Sequence, residues 1–374
     1  MTLTGEAVRR LRVGAQQLHR PEPGIPVGEL VRRLCGVQAQ ALSAQQGGRG
    51  GVGAEPALAL RARAAGLTRG QVDGARLSER SVVWTWAMRG TLHLVATDDL
   101  GWLLPLVAPA RLPAARRRLR ELGVGGDDPA RAVHLIARML ADEGPLTRAG
   151  IAERLARHGI PTQGQAAAHL MWLAAMNGVA CHGPESGGEP AFVLVRDWVG
   201  PRPALPRQPA LAELARRYLG AYGPAEPRDL AAWSGLTVTD ARAGWRQLGG
   251  ELAEVTVNGD TAWTLRSGRA SQAPPGVVRL VPSFDTYLLG YRSRELAVAP
   301  RDARKVHPGG GWLHPVLLVD GRAAGTWNAR QRRGALVVTV QPFAELGPPV
   351  RDAVRAEADD VARFHGLPGE LVLA

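Results

Sequence analysis

The sequence predicts an α+β protein: three tandem winged-helix (helix-turn-helix) units followed by a C-terminal antiparallel α+β domain. Three observations lead there. Helical patterns that close on a two-stranded hairpin occur three times in order. The second and third open on related segments, Gly144-Pro145-Leu146-Thr147-Arg148-Ala149 and Gly223-Pro224-Ala225-Glu226-Pro227-Arg228. From about Val277 the pattern changes to alternating strands closed by one helix.

The first unit, residues 1–97, begins with a helix over 6–18 that Pro21-Glu22-Pro23-Gly24 breaks. A second helix runs from Val27 toward Val37, with Leu30, Val31 and Leu34 on one face. Past the glycine-rich segment 47–51 come helices at 57–65 and 69–77, then strand 82–87, a turn at Met88-Arg89-Gly90 and strand 91–95. Trp84 and Trp86 alternate with Val83 and Thr85, so both face one way, toward a core. A basic helical connection, 98–126, carries Arg111, Arg116, Arg117, Arg118 and Arg120. The second unit, 127–198, has helices at 127–142 and 162–176, a helix start at Thr147 suited to N-capping, and strands at 179–182 and 191–195. A proline-rich joint, 199–209, leads into the third unit, which runs to 268. It has a helix at 238–248 and strands 254–257 and 261–265 around Asn258-Gly259-Asp260, a strong hairpin signal. The C-terminal domain, 269–374, has strands at 277–281, 315–319, 323–327 and 335–340 and a closing helix at 349–364.

At 374 residues with 45% hydrophobic content, the chain can build the cores of several modules. The formal charge is +12, and with Lys305 the only lysine nearly all the cations are arginine. That balance argues for a polyanionic partner, nucleic acid being the usual one, while a G+C-rich coding bias would also enrich arginine. Cys35 and Cys181 lie in apolar contexts and form no CxxC, so neither a disulfide framework nor a zinc site is expected, and a reducing cytoplasm fits. No apolar run reaches membrane-spanning length, and the charged N-terminus does not read as a signal peptide. No heptad repeat or dimer helix shows, which predicts a monomer.

One stretch stands out. Between Glu29 and Glu55 there is no carboxylate, yet Gln38, Gln40, Gln45 and Gln46 stand among small apolar residues at the end of the second helix. Amides are costly to bury unless they find partners. On a continuous helix Gln38 and Gln40 would point about 200° apart, at about 100° per residue. For both to face one site the helix must end or loosen near Gly36-Val37, which Gly36 permits. Residue types alone leave open that they are surface polar residues at a helix end.

Arginine's planar fork matches phosphate. Arg116 and Arg117, with Arg118 and Arg120, and Arg330, Arg332 and Arg333 at a predicted hairpin tip are candidate DNA phosphate contacts, balanced against solvated surface charge. Arg89 and His93 in the first wing are further DNA-contact candidates; His93 could also assist in the site, and reads equally as a core or surface histidine. Asp285 reads as a turn-capping residue after Pro282, with a place in the binding site as the alternative.

Four segments together resemble the AlkZ and YcaQ family of winged-helix DNA glycosylases. They are Gln38-Ala39-Gln40; Arg89-Gly90-Thr91-Leu92-His93-Leu94-Val95; Val281-Pro282-Ser283-Phe284-Asp285-Thr286-Tyr287-Leu288-Leu289-Gly290-Tyr291-Arg292; and Gly325-Thr326-Trp327. They span nearly the whole chain in the family's order; at position 39 the family usually has a bulkier hydrophobe than alanine. The resemblance implies winged helices around a concave, C-shaped channel for double-stranded DNA. It also implies hydrolysis of the glycosidic bond of guanine alkylated at ring nitrogen 7, including unhooking of azinomycin-type interstrand cross-links, in repair and self-resistance. It assigns catalysis to Gln38 and Gln40, Gln at the second position being the cross-link-unhooking version. The chemistry suits amides: the alkylated base is already a cationic leaving group, so what remains is to place a water and offset an oxocarbenium charge with amide oxygens. No cofactor is called for, and with lysine so scarce the enzyme is expected to be monofunctional, without a Schiff base. The alternative is a non-catalytic DNA-binding regulator or lesion-binding resistance protein on the same scaffold.

Overall fold

The computed structural model describes residues 1–19, 21–40, 52–257, 259–267 and 272–374. Strand β1 (Thr2–Leu3) leads into α1 (Gly5–Ala15), capped by the Thr4 hydroxyl, which accepts from the Ala7 amide. Helix α2 (Val27–Arg33) buries Val27, Leu30 and Val31 and then stops short of the expected extension toward Val37. Cys35 and Gly36 both take left-handed backbone, with φ of 57° and 100°, and turn the chain into strand β2 (Val37–Gln38). The Gly36 amide returns to the Val31 carbonyl at 3.0 Å and the Cys35 amide to Arg32 at 3.1 Å, which closes off the helix. Glycine is favoured here because its φ is one that side chains avoid. Gln45, Gln46 and the segment 47–51 lie outside the described residues.

Helices α3 (Ala57–Arg61) and α4 (Arg69–Leu77) and strands β3 (Val82–Trp86) and β4 (Leu92–Ala96) complete the first segment. The connection holds α5 (Leu100–Val107) and α6 (Leu112–Glu121). The second segment comprises α7 (Asp128–Glu143), β5 (Leu146–Thr147), α8 (Arg148–Arg157), α9 (Ala166–Met176), β6 (Ala180–Ser186) and β7 (Glu189–Leu194). Thr147 caps α8, accepting from the Gly150 amide at 3.2 Å. After α10 (Val195–Val199) comes α11 (Arg207–Tyr222), a helix that the proline-rich joint conceals. It buries Leu211, Leu214, Ala215, Tyr218, Leu219 and Tyr222, one continuous helical face. Helices α12 (Pro227–Ser234) and α13 (Val238–Leu248) and strands β8 (Leu252–Val257) and β9 (Asp260–Leu265) follow; Asn258 of the expected turn lies outside the described residues.

The C-terminal domain runs β10 (Val278–Val281), α14 (Thr286–Leu289), α15 (Ala303–Val306), β11 (Val316–Val319), β12 (Arg322–Arg332), β13 (Ala335–Pro342), α16 (Pro348–Phe364) and β14 (Gly369–Leu373). The sheet order is β10-β11-β12-β13-β14, and β14 pairs parallel with β13. The expectation of an antiparallel domain is corrected on that edge: α16 carries the chain back across the sheet, and a helical crossover returns a strand in the parallel sense.

The hairpins are also welded to one another. β3 pairs with β6 at Trp84 and His182, giving one six-stranded sheet, β2-β4-β3-β6-β7-β5. The two rings stack with centroids 3.8 Å apart, and His182 meets Phe192 at 4.4 Å. β1 pairs parallel with β8, so the chain start edges the third hairpin. Among the described residues no helix is long and apolar enough to cross a membrane.

A wholly buried ion pair ties the first segment to the C-terminal domain. Arg63 grips both oxygens of Asp285, at 2.7 and 2.9 Å, and also donates to Gln16 Oε1 at 2.7 Å and the Ala59 carbonyl at 2.8 Å. Asp285 in turn caps α14, accepting from the Tyr287 amide at 2.8 Å. Asp285→Ala leaves a buried guanidinium without its partner and should cost about 3–5 kcal/mol. Urea unfolding checks this, and a loss below about 1 kcal/mol would show that the pair is dispensable.

Candidate active site

The strand that begins at Val37 extends one residue beyond its formal end. Val37 pairs with Leu94 and Gln38 with His93, and the Ala39 amide donates to the Leu92 carbonyl at 2.7 Å. The Ala39 carbonyl accepts from Trp84 Nε1 at 3.0 Å, and the Ala39 side chain is buried with Trp84 and Leu94 in one apolar cluster. Side chains alternate along an extended chain, so with Val37 and Ala39 facing that core Gln38 projects from the other side, and Gln40 follows two residues on, at a turn. A period of two has replaced the helical period of 3.6 through Ala39.

Across the sheet Gln38, His93 and Thr85 form a row of directly paired residues. Gln38 is 7% exposed, His93 1%, and Gln40 is half-buried. His93 Nδ1 lies 2.8 Å from the Thr91 carbonyl. A carbonyl only accepts, so Nδ1 carries the ring proton. Burial, and then the charge of nearby Arg89, lowers the His93 pKa from 6.5 to about 3. The ring is therefore neutral and enclosed, which does not suit a charged contact to phosphate; His93 stands directly across from Gln38 on the adjacent strand.

Arg89 has φ of 57° in the turn between β3 and β4. Its guanidinium donates through Nη1 to the Trp233 carbonyl and through Nη2 to Gln38 Oε1. A guanidinium has only donors, so the atom of Gln38 that faces it is the oxygen, and the amide nitrogen points away. Burial, with Arg111 and Arg294 close by, lowers the Arg89 pKa to about 10, which leaves it charged at neutral pH. These bonds occupy Arg89 inside the protein, a different role from the expected DNA contact.

The sequence reading missed the part played by α12 and its cap. Gly235 has φ of 82°, and a Cβ there would stand 3.1 Å from Arg89 Cα and 2.6 Å from Arg111 Nη2. The third segment thus closes directly over Arg89. A helix-capping glycine signals a helix end in sequence, but nothing in it points to a residue so distant in the chain.

The remaining candidates stand on other elements. Arg116 and Arg117 are exposed on α6; Arg117 is 3.9 Å from Glu121, and Arg116 lines an opening of about 620 Å³ with Arg120, Gly125 and Asp127. Arg330, Arg332 and Arg333 are exposed at the tip of the β12–β13 hairpin. The tip turns through Arg333 and Gly334, both left-handed at φ 48° and 83°, as tight two-residue hairpin turns demand. Arg330 and Arg332 share a sheet face with Asn328 and line an opening of about 590 Å³ with Lys305, Trp312 and His314.

The folded chain refuses a proton at His93 until about pH 3, whereas the unfolded chain accepts one near 6.5. The stability contributed by the neutral ring is therefore complete above 6.5 and is lost as the pH falls toward 3. In His93→Asn the decline of stability with falling pH should be shallower in that window by up to ~1.4 kcal/mol per pH unit. Urea unfolding at a series of pH values measures it, and a slope equal to the parent's would contradict the assignment.

With this geometry in place, comparison with known proteins gives consistent results. A family model described as DNA glycosylase AlkZ-like matches residues 31–364. The interstrand DNA cross-link repair glycosylase of Streptomyces sahachiroi is 33% identical over 376 residues, covering 94% of each chain. The solved structure of the Streptomyces sahachiroi DNA glycosylase AlkZ aligns over 100% of both chains with a TM-score of 0.82 at 30% identity. With most of its length matched by family model and relative alike, the chain belongs to the AlkZ-like DNA glycosylase family.

Proposed function

We propose that this protein is a hydrolytic, monofunctional glycosylase. It cleaves the glycosidic bond of guanine alkylated at ring nitrogen 7 in double-stranded DNA and unhooks azinomycin-type interstrand cross-links, in repair and self-resistance. The observation that carries the reading is the Gln38 amide on β2, directly across from a neutral histidine, with Gln40 two residues on. The relative named for cross-link repair supports the substrate class.

Alkylation makes the base a good leaving group, so the protein has to place a water and stabilise charge building on the sugar. The Gln38 oxygen is taken by Arg89, so Gln38 presents its N–H donors and holds the water by its oxygen. Gln40 supplies the carbonyl that accepts from the water and directs a lone pair at the anomeric carbon, and its dipole offsets the oxocarbenium charge; the C–N bonding pair leaves with the alkylated base, which becomes neutral, and the proton of the added water passes to bulk water. This divides between the two residues a task that the sequence reading gave to both carbonyls. His93, with a pKa near 3, is too weak a base to remove a proton at neutral pH. Lys305 pairs with Asp302 at 3.1 Å and lies over the Phe343 ring, which supports a mechanism without a lysine Schiff base.

DNA would lie along tandem winged helices around a concave channel, bound by a monomer. Arg116 and Arg117 on α6 and Arg330, Arg332 and Arg333 at the hairpin tip would meet its phosphates. A guanine tethered to the opposite strand obstructs full extrusion, so an open groove serves the reaction better than a deep base pocket.

On a duplex carrying 7-methylguanine, followed by alkali cleavage of abasic sites, Gln38→Ala and Gln40→Ala should each lose about 100-fold or more in single-turnover rate while still binding DNA. Rates equal to the parent's would remove the glutamines from the chemistry, and a borohydride-trapped protein–DNA adduct would overturn the monofunctional mechanism. The double variant Arg330→Gln, Arg332→Gln should make the dependence of log K on log salt shallower by about 2, roughly 0.9 for each phosphate no longer neutralised. An unchanged salt slope would place DNA elsewhere.

A further inference from the structure

We propose that Arg89 is a positioning residue of this reaction: it fixes the Gln38 amide with the oxygen turned inward and the N–H donors turned to the substrate. The inference rests on the glycosylase reading above. A glutamine amide free in a site has two orientations related by a half turn, nearly equal in shape and opposite in polarity. Only one of them gives a guanidinium an acceptor. A hydrogen bond from a charged donor favours that orientation by roughly 10- to 100-fold in population.

Arg89 is itself held for this purpose from three directions. Its own turn is closed by Gly90 N to Ala87 O at 2.9 Å, Thr91 N to Met88 O at 3.1 Å and Ala87 N to Thr91 O at 3.0 Å. From the second segment, Trp172 Nε1 donates to the Gly90 carbonyl at 2.9 Å. From the third, the Trp233 carbonyl takes one end of the guanidinium and Gly235 packs against the Arg89 backbone. A non-glycine residue kept in left-handed backbone is strained, and such strain persists only where surroundings over-determine it. The fork geometry matters as much as the charge: one end is anchored on the third segment and the other on Gln38, which an ammonium cannot reproduce.

The competing role for Arg89 is a phosphate contact made together with Arg111 and Arg294, two cations whose charge acts on it. The two roles separate in kinetics. Single-turnover rates at saturating protein and dissociation constants are measured on the 7-methylguanine duplex for the parent, Arg89→Met, Arg89→Lys, Gln38→Ala and the double variant Arg89→Met, Gln38→Ala. Arg89→Met should slow cleavage by about 10- to 100-fold with the dissociation constant within about twofold of the parent's, and Arg89→Lys should fall between them. The double variant should be no slower than Gln38→Ala alone, because Arg89 acts through Gln38. Arg89→Lys keeps a buried cation and carries the test if Arg89→Met does not fold. Weakened binding with a salt slope lower by about 1 and an unchanged saturated rate would overturn the proposal in favour of phosphate contact. Losses that multiply in the double variant would also overturn it. A parent protein that leaves the lesion intact would overturn the glycosylase reading, and this proposal with it; an active parent with fully active Arg89 variants would overturn the proposal alone.

Discussion

Two residues of left-handed backbone, Cys35 and Gly36, determine what this protein can do with its glutamines. They end α2 at Arg33 and lay the next residues against β4 as a strand. Had the helix continued, Gln38 and Gln40 would have diverged. As a strand Gln38 faces His93 across the sheet, while Ala39 after it enters the core, where its backbone is held by Leu92 on one side and Trp84 on the other. Gln38 is thus mounted on a sheet rather than a loop, in a segment supported by backbone hydrogen bonds. Catalysis by fixed dipoles needs that rigidity, since an amide that must reorganise during the reaction loses its advantage over water.

The sheet is rigid because the chain's segments are fused. The pairing of β3 with β6 makes two hairpins into one sheet, and Arg63 with Asp285 locks the first segment to the C-terminal domain through a pair that neither solvent nor salt can reach. The four sequence segments that carry the family resemblance now have physical roles. Arg89 to Val95 contains the turn and strand that flank Gln38, and Val281 to Arg292 contains Asp285. Trp327 Nε1 donates to the Val281 carbonyl at 2.8 Å, and at Gly325 a Cβ would stand 2.7 Å from the Gln341 carbonyl oxygen. One of the four supplies the amides, and the other three position them or build the domain behind them.

Much of this was legible in the sequence because it is local. The cap at Thr147, the break at Gly36, the capping role of Asp285 and the hairpin tip at Arg333-Gly334 all depend on neighbours within a few residues. Helix α11 was not read from the sequence: its apolar face repeats at helical spacing, but the prolines about its ends conceal it. What could not be read is what spans the chain. The parallel edge strand β14, the union of the hairpins and the bonds from Arg89 to Gln38 and Trp233 join residues whose proximity only the fold creates. The neutrality of His93 belongs to the same class, because burial rather than sequence neighbours sets its pKa.

The central claim is that amide dipoles, not an ionising base, carry the hydrolysis. The pH dependence of the single-turnover rate on a 7-methylguanine duplex tests it most directly. Glutamines do not titrate and His93 stays neutral above about pH 3, so the account predicts a flat profile from about pH 5 to about pH 8. A limb or a bell within that range would reveal an ionising group at work and would contradict it.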